Sequence, residues 1–198
     1  MLPQDLPPQL EAIEEATGAL GFAMASDRAT GKLLRTLAAA KPGGNLLELG
    51  TGTGLATTWL LQGMDAAARL LSLDNDAMVQ AIAAAYCGED PRLTLVTEDG
   101  DTALPRLQAA GERYDLIFAD TWPGKYRLLD LTLGLLKPGG LYVVDDLLPQ
   151  PNWPPNHGTS VAQLVVDLQN RVDLWITQLD WSSGLLIAVK KDTYTLTV

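Results

Sequence analysis

The chain is predicted to be an α/β fold: a doubly wound, mostly parallel seven-stranded sheet with a C-terminal antiparallel hairpin and extra N-terminal helices. Three observations predict it. Five short apolar runs alternate with stretches of helical periodicity. A glycine-rich turn joins the first run to its helix, and the last two apolar runs lie only a few residues apart. Strands covered on both faces read as continuous apolar runs, and their alternation with helices marks a parallel sheet.

Taken in order, Leu10, Ile13 and Leu20 suggest a first amphipathic helix after a proline-rich start. A second spans about Thr30 to Ala40, with Leu33, Leu34 and Leu37 on one face, and stops at KPGG, where proline cannot continue it. NLLELG is then the first strand, followed by a glycine loop and a helix through LATTWLLQGM. RLLSLD is the second, with a helix carrying Met78, Val79, Ile82 and Tyr86. LTLV is the third, followed by helix ALPRLQAA. YDLIFAD is the fourth, and Tyr126, Leu129, Leu133 and Leu136 predict one helix that stops at a second KPGG. LYVVDD is the fifth strand. The loop LLPQPNWPPNHGT leads to a helix with Ser160 as its cap, Gln163 three residues later and Val161, Leu164, Val165 and Leu168 inward. DLWITQLD and GLLIAVKK close the sheet as a hairpin.

At 198 residues the chain has the length of one domain, read as a helical cap over 1–42 and a core over 43–198. Hydrophobic residues make up 47% and charged residues 19%, which excludes a disordered chain. Fourteen basic against 24 acidic residues give a net charge of −10, a field that repels phosphate backbones, so nucleic acid is not an expected partner. The single cysteine, Cys87, excludes an intramolecular disulfide and suits a reducing compartment. The acidic, proline-rich start is unlike a targeting peptide, and no apolar run approaches the roughly 20 residues of a membrane span. A cytoplasmic protein is expected, and the N-terminal helices leave room for a homodimer.

Ligands of open α/β sheets bind at the carboxyl ends of the strands. Here those ends carry Glu48, Asp74, Asp99, Asp120, and Asp145 with Asp146. The first loop, Glu48-Leu49-Gly50-Thr51-Gly52-Thr53-Gly54, misses the dinucleotide pattern G-x-G-x-x-G. Counting from Gly50 the third glycine falls on Leu55, and from Gly52 on Thr57. A carboxylate before the glycines opposes a pyrophosphate and suits a cationic ligand.

LLELGTGTG resembles the first motif, E/D-x-G-x-G-x-G, of class I S-adenosylmethionine-dependent methyltransferases. The resemblance implies their Rossmann-like fold and that Gly50 and Gly52, with Thr51 between them, approach the methionine part of the cofactor. Glu48 would help to fix the loop and the amino end. Asp74, with Asn75 beside it, would bond the ribose hydroxyls, and Asp99 and Gly100 the adenine. A closer likeness, from about Ala25 to Lys190, is to the catechol O-methyltransferase-like family and its small bacterial members. FADTWPGKY and LLKPGGLYVVDD are similar to the segments where that family holds a divalent metal on three side chains, here Asp120, Asp145 and Asp146. Asp120 would also belong to the cofactor site, and Met24 to Asp27 would lie over its methionine end.

Three converging carboxylates repel one another unless a cation or proton intervenes, and hard oxygen ligands favour Mg²⁺, Mn²⁺ or Ca²⁺. Two departures stand out. Asp146 replaces the usual Asn. Pro123 stands where the family's lysine base lies three residues after the first Asp, and Lys125, two residues further on, is not expected to reach the same place. Either a metal alone activates the acceptor or another base operates, and His157 is the candidate. Trp122, Tyr126 and Trp153 would wall a flat, aromatic acceptor. The expected activity is methyl transfer to a hydroxyl of a small acceptor, with divalent-metal assistance. The alternatives are a metal-independent methyltransferase acting on another group, or a cofactor-binding protein that has lost catalysis.

Overall fold

The computed structural model describes residues 6–192, so the first five residues of the expected cap lie outside the described residues. Apolar side chains place the central strands between two cores. In β4 (Tyr114–Ala119), Leu116 and Phe118 enter one core while Ile117 and Ala119 enter the other, which is the period-two alternation of a strand covered on both faces. The neighbours of β4 are β1 (Asn45–Leu49) and β5 (Leu136–Val144), and they divide their leucines, valines and Tyr142 in the same way. With β2 (Arg69–Asp74), β3 (Leu93–Thr97), β6 (Leu174–Leu179) and β7 (Leu185–Lys190) the order is β3-β2-β1-β4-β5-β7-β6. The first five strands are parallel, and β7 pairs antiparallel with both β5 and β6. The strand order reverses between β1 and β4, so a crevice opens above their carboxyl ends.

Helices α1 (Leu10–Leu20), α2 (Arg28–Ala39) and α3 (Leu55–Gly63) cover one face through Leu10, Ile13, Leu34, Trp59 and Leu60, and Cys87 of α4 (Ala77–Cys87) joins that core. On the opposite face lie α5 (Gly100–Ala109), α7 (Leu129–Gly134) and α8 (His157–Gln169), through Leu104, Leu107, Leu133, Leu164 and Leu168. Aspartates start several of these helices: Asp27 accepts from Ala29 N and Thr30 N, Asp76 from Met78 N and Val79 N, and Asp99 from Asp101 N. No helix among the described residues is long and apolar enough to cross a membrane.

Four expectations change. Leu20 is 41% exposed rather than inward. The single helix expected from Tyr126 to Leu136 is broken into a turn, α6 (Trp122–Lys125), and the six-residue α7. Pro123 has ψ 132°, Gly124 has φ 93° and Leu128 has φ 56°, none of them helical, and Leu136 already belongs to β5. The second KPGG lies within β5, where the pairing with β4 shifts register between Tyr114 and Leu116. Finally, α8 begins at His157 after Asn156 at φ 67°, so Ser160 sits inside the helix. Packing of the His157 ring against Trp153 and Tyr126 draws that first turn forward.

Candidate active site

The loop after β1 turns back on itself beneath the crevice. Gly50 has φ 99°, and a Cβ there would lie 2.9 Å from the carbonyl oxygen of Asp120, so only glycine lets the loop meet the end of β4. Backbone donors tie the loop to β2: Gly50 N to Leu73 O at 2.8 Å and Gly52 N to the Asp74 carboxylate at 2.7 Å. Below it, Glu48 is fully buried. Its Oε2 accepts from Thr57 Oγ1 at 2.6 Å and from Ser72, which also bonds Thr51, while Oε1 has no hydrogen-bond partner among the described residues. Burial pushes the Glu48 carboxyl up to about 8 against the two hydroxyl bonds. Glu48 therefore anchors the loop from underneath and does not line the crevice.

Three adjoining cavities run along the strand ends. The first, about 150 Å³, is lined by Gly50, Asp74, Asn75, Asp99, Gly100, Trp122 and Arg127 among others. A narrow one of about 20 Å³ lies between residues 24–26 and the loop residues Gly50, Thr51 and Gly52, with Asp120. The third, about 110 Å³, is lined by Met24 to Asp27, Asp120, Asp145, Asp146, Gln150, Asn152 and Ser183. Every expected cofactor residue except Glu48 faces one of the first two. Asp120 belongs to both the second and the third.

At the third cavity the expectations need correction. Lys125 does reach the site: its Nζ lies 3.2 Å from Asp120 Oδ1 and donates to the Asp145 carbonyl oxygen at 2.9 Å, and the residue is 4% exposed. The Pro123–Gly124 kink folds the two extra residues into a turn and returns the lysine inward. Burial alone would lower the ammonium's pKa, but the carboxylates around it outweigh burial and hold it above the ordinary lysine value, so it is a cation. Asp120 is pushed up to about 6 by burial, with Lys125 opposing, and Asp145 up to about 8 by burial and the charge of Asp120.

The expected metal ligands Asp120, Asp145 and Asp146 do not fit a metal as they stand. Among the described residues no three His, Cys, Asp or Glu side chains are grouped to hold one ion. Asp145 Oδ1 accepts from Ser183 Oγ and from Asp146 N, and Asp120 is bonded by Lys125 and by Ser26. His157, the candidate base, lines none of the three cavities. Its Nε2 lies 3.2 Å from the Tyr126 hydroxyl, Trp122, Tyr126 and Trp153 surround its ring, and burial lowers its pKa, keeping it neutral. The aromatic residues thus pack around His157, with Trp122 also on the first cavity. The third cavity has a polar wall instead. Ser26 falls in the expected stretch Met24 to Asp27, whereas Ser183 was missed, because nothing local ties it to a carboxylate so far away in sequence.

The Methyltransferase domain family matches residues 47–147, over half of the chain, from within β1 to just past Asp146. The chain belongs to this family. A catechol O-methyltransferase of Niastella koreensis is 31% identical to this methyltransferase-family chain over 123 residues, 60% of the chain and 56% of that protein. A protein of Mycolicibacterium vanbaalenii, provisionally named an O-methyltransferase, is 36% identical over 121 residues, 59% of the chain and 53% of that protein. The chain thus spans about half the length of the curated relatives it matches. Among solved structures, the O-methyltransferase of Bacillus cereus in complex with SAH superposes with a TM-score of 0.81 at 22% identity, covering 92% of this chain and 90% of that one. The O-methyltransferase TomG of Streptomyces achromogenes, in complex with SAM, gives 0.81 at 22% identity over 93% and 90%. At that identity the likeness establishes a shared fold, the mostly parallel sheet with its antiparallel end.

Proposed function

We propose that this protein binds S-adenosylmethionine in the first two cavities and transfers its methyl group to a hydroxyl of a small acceptor held in the third. The observation that carries this reading is the position of Asp120, which lines both the glycine-loop cavity and the acceptor cavity. Family membership, the names of the relatives and the complexes of the two structural neighbours support the choice of donor.

The donor group fits the residues present. Gly50, Asp74, Asp99 and Gly100 line the first cavity, and the carboxylate of Asp74, with two acceptor oxygens, suits a diol. Asp99 and Gly100, which line the same cavity, are the groups this reading gives to the adenine. When bound, S-adenosylmethionine supplies an electrophilic methyl on a sulfonium, whose positive charge the carboxylate-lined crevice favours. The acceptor oxygen attacks the methyl carbon, the new O–C bond forms as the S–C bond breaks, and the hydroxyl proton passes to a carboxylate. Asp120, raised to about 6 by burial, is the group for that proton near neutral pH. The wall of Asp27, Asp146, Gln150 and Asn152 favours a compact hydrogen-bonding acceptor over a flat apolar one. The net charge of −10 argues against a nucleic-acid acceptor.

The test is transfer of labelled methyl from S-adenosylmethionine to a panel of small hydroxylated acceptors and matching amines. Turnover on hydroxyls, rising as pH passes through about 6 and lost in Asp120→Asn, is the expected result. Turnover confined to amines, or unaffected by that substitution, would overturn the reading.

A further inference from the structure

We propose that Lys125, buried behind the carboxylates that line the acceptor cavity, is their resident cation, standing in the role that the family likeness gives to a divalent ion, so that this chain's carboxylates need no metal. The inference rests on the methyl-transfer reading for the identity of the cavity. Its physical basis is the lysine's own setting.

Asp120, Asp145 and Asp146 approach one another at the ends of β4 and β5, and buried like charges require compensation. The resemblance to the catechol O-methyltransferase-like family implies a divalent ion for that requirement. Here an ammonium on the chain lies within 3.2 Å of one of the three carboxylates and donates at 2.9 Å to the backbone oxygen of a second of these residues. At Asp145, Ser183 Oγ and Asp146 N both donate to Oδ1. Among the described residues the three carboxyl groups form no cluster that could hold one ion.

The position of Lys125 is built rather than incidental. Gly124, directly before it, sits at φ 93°, where a Cβ would lie 2.4 Å from Leu49 Cδ1 of β1. Tyr142 of β5 donates its hydroxyl to the Gly124 carbonyl, and Gly124 N donates to Arg127 O at 2.7 Å. Both neighbouring strands thus fix the turn that presents the lysine. The sequence difference matches this geometry. Pro123 occupies the place of the family's lysine, and two additional residues bring Lys125 to the back of the carboxylates. As a protonated, hydrogen-bonded group it supplies positive charge and does not serve as a base.

The experiment is titration of the full chain with Mn²⁺, followed by electron paramagnetic resonance of free ion and by thermal unfolding, for wild type, Lys125→Ala and Lys125→Met. The wild type is expected to bind no stoichiometric Mn²⁺ and to unfold at the same temperature with or without chelator. Both variants should gain a site, binding about tenfold or more tightly than wild type, the scale on which immediate neighbours shift a metal site's affinity. Stoichiometric Mn²⁺ on the wild type, lost in Asp145→Asn, would overturn the proposal, and so would folded variants that gain no site. Should neither variant fold, the wild-type titration decides alone. A parallel titration with S-adenosylhomocysteine separates the two readings, since its failure would remove the methyl-transfer assignment while the Mn²⁺ result still decides the role of Lys125.

Discussion

The two halves of the crevice hold their carboxylates by different means. On the side of β1, β2 and β3, the donors come from the adjoining strand ends and helix starts: Asp99 caps α5, Asp74 accepts from Gly52 N and Asp76 N, and Glu48 beneath them from Thr57 and Ser72. On the side of β4 and β5, the donors come from afar: Ser26 to Asp120 and Ser183 to Asp145, with Lys125 between the two strand ends. The first half is tied by several neutral donors of adjoining strands and helix starts, and the second is an assembly around one ammonium. A set of several neutral donors tolerates the loss of one member, whereas an assembly built on a single buried charge does not.

The largest expected effect tests that contrast directly. Lys125→Ala should destabilise the fold by about 3–5 kcal/mol, the usual consequence of leaving a buried partner uncompensated, whereas Asp99→Ala should cost about 1 kcal/mol as a lost helix cap. Denaturant unfolding of both variants measures the difference, and equal losses would erase the distinction between the halves. Next comes Gly50→Ala, which places a side chain at φ 99° against the Asp120 carbonyl. A loss of about 1–3 kcal/mol is expected from the backbone conformation, together with weakened S-adenosylhomocysteine binding.

Glu48 sharpens the comparison through pH. Its folded-state pKa, about 8, lies above the ordinary 4.5, so the folded chain retains a proton that the unfolded chain has released. This contribution to stability is fully present below the unfolded value and is lost as pH rises through about 8. Melting temperatures of Glu48→Gln should therefore show a flatter profile between these values than wild type. An unchanged slope would mean that Glu48 is ionised in the fold. The smallest effect lies away from the crevice. Burial would raise the Asp173 carboxyl, but Lys190 and Arg171 hold it down to about 2, so its contribution is present above the unfolded value of 3.8 and lost as pH falls toward 2. Asp173→Asn should remove that acid sensitivity at a cost below about 1 kcal/mol at neutral pH.

The same division explains what could be read from the sequence. Every strand was legible, because apolar runs such as NLLELG and YDLIFAD owe their burial to composition alone. The glycine loop and its place at the crevice were legible too, since loop, carboxylate and helix start follow one another within a few residues. The acceptor half was not. Spacing along the chain measured Lys125 as two residues too far, while a Pro-Gly turn, which the letters do contain, shortens that distance in space. Ser183 meets Asp145 only through the β6–β7 hairpin. His157 drew notice as a lone imidazole in a polar loop, yet its surroundings are three aromatic rings contributed by two separate segments.

Calorimetric titration with S-adenosylhomocysteine bears most directly on the crevice as a methyltransferase site. One molecule should bind per chain, and Asp74→Ala should weaken it by about tenfold or more, the consequence of removing a charged hydrogen-bonding partner. Absence of binding to the wild type, with NADH binding in its place, would contradict the account.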